Sequence, residues 1–556
     1  MSSFNSAFPL LDQYIENWMA AVNIPGVAIA LTDRENLLRV STYGFADLAA
    51  RTPLAPETLF EIGSIGKSFT SIALLQLQED GLLDLHEPVT RYLPWFEVQS
   101  AYEPITPHHL MSHTAGITMG AEFPGEARYE AWALRETEAT TPPGTYYHYS
   151  DAGYKTLGVI LEELLGLPYG EIIQARILDP LGMSDTVPIV TNETRPRLAV
   201  GYEHYYDDRP PPRGHPLAPA TWLEHAEGAG SIASTPADMA IYLRMLMNRG
   251  MGLHGRILSE ESFDLLTRRV IAADEEGDGS YYGYGLSIQE SEGHTYISHG
   301  GGMVGYRSHI LIDMDEGLGV VVLMNGPAGQ SDLEIANYAL QLMRAALHDQ
   351  AMPSLPLTDP TKLENAADYA GTYRLCSQAL PELPEGHMQL PGIDALTFVA
   401  EEEHLFLQYG DERLLLEQRG RDQFYVDHPD FALFLLSFGR EGREVVEVFH
   451  GPDWYVSDRY KGSSTFDYPP DWDAYPGHYC SHNPWMTHFR IVQRKGKLIL
   501  VYPSGEEQPL APIGEGVFRV GEDNRSPERI RFSVVLNNQS LRANFSCGEY
   551  YRSFSP

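Results

Sequence analysis

Apolar residues recur at helical spacing from about Ala7 to Val22, interrupted by Asp12 and Glu16, and the pattern stops at Pro25-Gly26. That spacing predicts an amphipathic helix. Two runs rich in branched residues follow, GVAIALTD and LLRVSTYGFAD, joined by the polar turn Arg34-Glu35-Asn36, and they read as paired strands. From Ser64 to about residue 280 the periodicity is mostly helical, with long loops. KSFTSIALLQLQEDG reads as an amphipathic helix stopped at Gly81, and YKTLGVILEELLG as another stopped at Gly166. STPADMAIYLRMLMNRG has Thr235 placed to cap a third, with Pro236 in its first turn and Asp238 near its positive end. Strand patterns return in TYISHG, VGYRSHILIDM and GLGVVVLMN, with Asp315-Glu316-Gly317 as a hairpin turn, before a closing helix from about Asp332 to Leu347. Strands and helix at both ends with helices between predict an α+β domain. Its antiparallel sheet is closed by the two terminal portions and flanked by helices, and a helical subdomain leaves a cleft beside it.

Beyond AMPSLPLTDPTKLEN, whose three prolines mark a linker, the pattern changes to short alternating strands. Two stretches resemble each other. One opens DYAGTYR at Asp368 and closes VEVFHGPDWYVSDRY; the other opens AYPGHYC at Ala474 and closes RANFSCGEYYRSF. This reads as an internal duplication forming two small β-barrels. The expected organisation is a first domain at 1–348, a linker at 349–366, a barrel at 367–460, a linker at 461–473 and a second barrel at 474–556.

Length and composition fit several well-filled cores: 556 residues, 43% hydrophobic, 11% aromatic. The formal charge of -37 is spread along the chain and repels phosphate backbones and anionic lipid, so neither nucleic acid nor a membrane surface is an expected partner. The first residues lack a basic start and no run of about 18 uncharged apolar residues occurs, so a cytoplasmic protein without a membrane span is expected. Cys376, Cys480 and Cys547 form neither a disulfide framework nor a zinc pattern. Free thiols are expected, with a Cys480–Cys547 bridge as the alternative.

The chemistry-bearing segments are three. In EIGSIGKSFT, Ser64 and Lys67 are three apart and share one face of a helix start. A lysine there can take the proton of a serine nucleophile, and the positive helix end favours a developing oxyanion. In YYHYSDAGY, Tyr149-Ser150-Asp151 precedes a helix expected from about Tyr154, and a phenol close to an ammonium can relay a proton. In YISHGGGMVGYRS, a strand ending in His299-Gly300-Gly301-Gly302 brings an imidazole and unhindered backbone to a cleft edge. Each segment alone also fits a plainer reading: a cap with a solvated lysine, a packed tyrosine-rich loop, a glycine hairpin. His109 and His113, four apart, lack any accompanying metal-ligand pattern, so no metal and no cofactor is expected, and no phosphate-binding loop or dinucleotide fingerprint is present.

Taken in this order, the three segments resemble the Ser-x-x-Lys, Tyr-x-Asn and Lys/His-x-Gly motifs of serine β-lactamases, penicillin-binding proteins and S12 peptidases. ITPHHLMSHTAGI and GAGSIASTPADMAIYL are similar to further stretches of the class C-like branch, which includes D-aminopeptidases and carboxylesterases. The resemblance covers about residues 8–348. The paired barrels look like the lipocalin-like appendages of some D-aminopeptidases. The resemblance implies a serine hydrolase forming an acyl-enzyme on Ser64, with Lys67 and Tyr149 sharing the proton work. It implies an oxyanion hole from the backbone N–H groups of Ser64 and a residue near Gly302, with Asp151, His299, Gly300, Gly301 and Gly302 at the substrate, and places His113 in a structural loop. Two departures stand out: Asp151 occupies the usual Asn position, and His299 that of the lysine of dedicated β-lactamases. The resemblance implies a small-molecule or short-peptide substrate, foremost that of an S12-type peptidase or D-aminopeptidase-like amidase acting on D-residue-containing peptides. The two departures add the expectation of a free amino group paired to Asp151. The alternatives are a carboxylesterase, a weak β-lactamase, and a non-catalytic scaffold whose barrels do the binding. A homo-oligomer is compatible with all of them.

Overall fold

The computed structural model describes residues 4–553 apart from 121–125, 213, 215, 224–225, 328, 330, 357–358, 377–392 and 547. The chain divides into two compact units. One comprises Met1–His204, Pro216–Pro356 and Arg525–Pro527; the other comprises Tyr205–His215, Leu357–Asn524 and Glu528–Pro556.

The first unit is built on a nine-stranded antiparallel sheet in which Gly26–Asp33 lies beside Leu318–Met324, so strands from the two ends of the unit are neighbours, as the hydrophobic pattern predicts. The register Ile29↔Val322 and Leu31↔Val320 buries a continuous apolar strip. Helices Phe8–Val22 and Ser331–Leu347 cover one face through Leu11, Ile15, Ile335, Ala339 and Met343. Helix Pro236–Met247 starts as its sequence predicts, with the Thr235 hydroxyl accepting from the Asp238 N–H.

Two expectations are corrected. Helix Gly66–Glu79 is buried on nearly every side rather than amphipathic. Its polar residues face other buried hydroxyls: Ser68 meets Tyr242 at 2.6 Å, Thr70 meets Tyr169 at 2.7 Å and Ser71 meets Tyr154 at 3.1 Å. A polar stripe answered by tyrosines inside a fold has the same periodicity as one answered by water. The second helix begins at Asp151, not near Tyr154, because Ser150 is its cap, its hydroxyl accepting from the Gly153 N–H at 3.1 Å.

The second unit contains two closed, eight-stranded, antiparallel barrels whose strands neighbour each other in chain order. The duplication has a structural signature. In the two Gly-x-Tyr openings, Tyr373 and Tyr479 are fully buried and each donates to the carbonyl four residues back, Tyr369 at 3.1 Å and Tyr475 at 2.8 Å. Each hydroxyl also meets an arginine of its closing segment, Arg459 at 3.2 Å and Arg552 at 3.3 Å. The interiors are packed with aromatic rings, Phe398, Phe424 and Phe438 in one and Phe489, Phe518 and Phe532 in the other, so the residues at the centre of each barrel are core rather than a ligand cradle. Cys376 and Cys480 are free thiols; Cys547 lies outside the described residues. No helix among the described residues is long and apolar enough to cross a membrane.

Candidate active site

Ser64 lies in a tight turn, Gly63–Ile65, immediately before helix Gly66–Glu79. Two elements clamp the turn. On one side the Ile62 N–H donates to the Ile232 carbonyl at 2.9 Å, continuing the strand pair Phe60–Glu61 with Ala233–Ser234. On the other stands strand His294–Met303. Its pairing with Ser287–Ser291 ends at Ser298, so from His299 onward one strand edge is open to the Ser64 turn. Gly63 has φ +50°, and a Cβ there would come within 2.9 Å of the Gly302 backbone. Gly301 packs tighter still: a Cβ would lie 2.0 Å from the Ile62 carbonyl oxygen and 2.3 Å from the Ser308 hydroxyl, which itself donates to Ile62 at 2.8 Å. Gly301 is thus required by packing. Gly301→Ala is expected to push the strand from the turn, costing about 1–3 kcal/mol of stability and lowering the acylation rate of Ser64 by roughly tenfold to a hundredfold. Thermal unfolding and rates of labelling by a fluorophosphonate check both.

Lys67 is fully buried, and each of its three N–H bonds has an acceptor: Ser64 Oγ at 2.8 Å, the Ala229 carbonyl at 3.0 Å and Asp151 Oδ1 at 2.5 Å. Its ammonium also sits 4.8 Å from the centre of the Tyr149 ring. Ser64, Lys67, Tyr149 and Asp151 therefore meet around the Lys67 ammonium, the arrangement that the family resemblance implies. Asp151 is engaged differently from expectation: its buried carboxylate is the counter-charge of Lys67 and does not stand ready for a substrate ammonium. His299 also has both ring nitrogens in use, Nε2 with the Tyr282 hydroxyl at 2.8 Å and Nδ1 with the Gly300 carbonyl at 2.6 Å. Burial lowers its pKa, so the neutral ring braces the strand end and supplies no fixed positive charge. Gly300 faces the His309 ring and Gly302 the Arg307 guanidinium, on the sheet face where glycine leaves room.

His113 orients the Tyr149 segment. Its Nδ1 accepts from the Ser150 N–H at 3.0 Å and its ring lies 4.3 Å from that of Tyr149; burial holds it well below the usual imidazole range, hence neutral. His109 is taken up with Thr106 in a helix-capping pair, so the two histidines do not form a metal pair. Among the described residues, His294, Asp313 and Asp315 are the one group close enough to share an ion. There the Arg344 guanidinium lies 3.0 Å from His294 Nε2, which makes the group an ion-pair cluster at a hairpin.

Fold and site together define a class: a serine hydrolase on the penicillin-recognition plan, in which a buried lysine hydrogen-bonds the serine that opens a central helix. The chain belongs to the β-lactamase family, whose sequence profile matches residues 11–344. Penicillin-binding protein 4 of Amycolatopsis lactamdurans is 26% identical over 370 residues, covering 63% of this chain and 93% of that one. Among solved structures, the octameric penicillin-binding protein homologue from Pyrococcus abyssi superimposes with a TM-score of 0.58 at 24% identity, covering 80% of this chain and 99% of that one. A D-amino acid amidase from Ochrobactrum anthropi SV3, complexed with L-phenylalanine amide, gives 0.51 at 26% identity, covering 62% and 99%.

Sequence reasoning missed the Ala229 carbonyl, Tyr282 and a second charged group at Lys155. A backbone acceptor has no residue signature. Lys155 did have one: Lys67 and Lys155 are the only lysines in the first 361 residues.

Proposed function

We propose that this protein hydrolyses the amide or ester bond of a small acyl substrate through an acyl-enzyme on Ser64. The amide of a D-configured amino acid or a short peptide containing one is the foremost substrate class. The observation that carries the proposal is the 2.8 Å bond between Lys67 and Ser64 Oγ, with Asp151 at 2.5 Å behind it. In this arrangement Lys67 donates to Ser64, so taking the serine proton requires passing one of its own to an acceptor. Asp151 is that acceptor. As Ser64 Oγ bonds to the substrate carbonyl carbon, its proton moves to Lys67 and a Lys67 proton moves to Asp151. Asp151 and Lys67 then return one proton, by way of Tyr149, to the departing amine or alcohol, and water releases the acyl group by the reverse route. The N–H groups of Ser64 and Gly302 flank the developing oxyanion. His299, Gly300 and Gly301 hold the strand edge along which the substrate lies.

The amide reading is supported by likeness to the D-amino acid amidase. A carboxylesterase is the second reading, favoured by a neutral site: Lys67 is cancelled by Asp151 and His299 is uncharged, so nothing in this constellation selects a charged substrate group. The same neutrality predicts poor β-lactam hydrolysis. A panel of D- and L-amino acid amides, p-nitrophenyl esters and nitrocefin tests the assignment. A D-amino acid amide is expected to exceed its L-counterpart and nitrocefin in kcat/KM by at least about tenfold, a differential interaction of about 1.4 kcal/mol. Preference for N-acylated or simple esters would move the assignment to the esterase, and preference for nitrocefin would contradict both.

A further inference from the structure

One helical turn beyond Asp151, the same helix carries a second buried charge. Lys155 is 3% exposed, and its ammonium contacts both oxygens of Glu130 at 2.9 Å and Glu227 Oε2 at 3.2 Å. Burial works against that ammonium, but Glu227 and Glu130 outweigh it and raise its pKa. Burial likewise pushes the Glu130 carboxyl up to about 8, against the pull of Lys155. Buried charges of this kind are a poor way to stabilise a fold, because their desolvation cancels most of their attraction. What they hold is more informative. Glu227 begins the segment Glu227–Gly230, whose Ala229 carbonyl is one of the three acceptors of Lys67. That segment is fastened along its length. The Thr70 hydroxyl donates to the Gly228 carbonyl at 2.7 Å and Ser231 to the Glu227 carbonyl at 3.2 Å. Gly228 abuts Gly158 so closely that a Cβ would meet backbone at 3.0 Å, and Gly230 abuts Gly63 of the Ser64 turn. Helix Asp151–Leu165 therefore controls two of the three partners of Lys67, one directly through Asp151 and one through Lys155 and Glu227. Arginine serves elsewhere in the first 361 residues, and the only two lysines lie in these two adjoining clusters.

We propose that Lys155 and Glu227 are positioning residues for the reaction: their ion pair sets the Ala229 carbonyl and so aims the Lys67 amine at Ser64, with Glu130 as a further acceptor for the Lys155 ammonium. This rests on the assignment of Ser64 and Lys67 above. The test uses the full chain and two readouts, the second-order rate of Ser64 labelling by a fluorophosphonate and steady-state kcat and KM for p-nitrophenyl acetate. In Glu227→Gln the shape is kept and the charge lost; labelling and kcat are expected to fall by about tenfold or more, with KM changed less than about twofold. Glu130→Gln, which leaves the Glu227 tether in place, is expected to stay within about threefold of wild type at a similar melting temperature. If Glu227→Gln does not fold, Lys155→Met carries the same expectation. The proposal is overturned if the folded variant labels at the wild-type rate, or if labelling falls equally in Glu130→Gln and follows melting temperature, the mark of a merely structural cluster. Labelling of wild type at a residue other than Ser64 would instead remove the assignment on which the proposal rests.

Discussion

After Ser64→Ala substitution, turnover of any amide or ester substrate is expected to fall by roughly four to six orders of magnitude, the scale of losing a nucleophile whose partners act only through it. The fold should be little affected. The Ser64 hydroxyl accepts one bond from Lys67, and Lys67 keeps Asp151 and the Ala229 carbonyl when that bond is lost. The stability cost is about 1 kcal/mol. Circular dichroism and kcat on the same preparation check the two halves of the expectation, and turnover within a hundredfold of wild type in a folded variant would remove Ser64 from the mechanism.

Lys67→Met has a double effect, and its two parts can be separated. The proton route from Ser64 to Asp151 is cut, which should lower kcat by roughly two to four orders of magnitude. The Asp151 carboxylate is also left buried without its counter-charge, and breaking such a pair destabilises by about 3–5 kcal/mol. Asp151→Asn added to Lys67→Met removes the orphaned charge. The double variant is expected to regain most of the lost thermal stability and none of the activity. Recovery of activity together with stability would show that Lys67 serves the fold and not the chemistry.

Much of the first unit was legible because its signals are local. The strands at 26–33 and 37–47 coincide with their apolar runs, and Thr235-Pro236 marks a helix start with residues adjacent in sequence. The site was legible in part for the same reason: Ser64 and Lys67 are three residues apart, so their meeting follows from helix geometry alone. The engagement of Asp151 was not, since it depends on a contact between residues 84 positions apart. Reading Asp151 as a free acidic group followed from seeing a charge without seeing its partner. His299 fails to be legible in the same way, its ring nitrogens being taken by Tyr282, two strands away in the sheet, and by the carbonyl of Gly300. The buried polar stripe of helix Gly66–Glu79 shows the limit of periodicity, which reports that one side differs from the other but not whether water or a tyrosine answers it. In the barrels the repeated Gly-x-Tyr openings carried the duplication, and their shared hydrogen bonds give the physical reason both copies retain the tyrosine.

The central claim is that Ser64 is the acylated residue, and covalent labelling followed by peptide mapping tests it most directly. Native protein treated with a fluorophosphonate, digested and sequenced by mass spectrometry should carry one adduct, on Ser64, and the Ser64→Ala variant should carry none. An adduct on another residue of the native protein, or an unlabelled Ser64 in a chain that turns over substrate, would contradict the account.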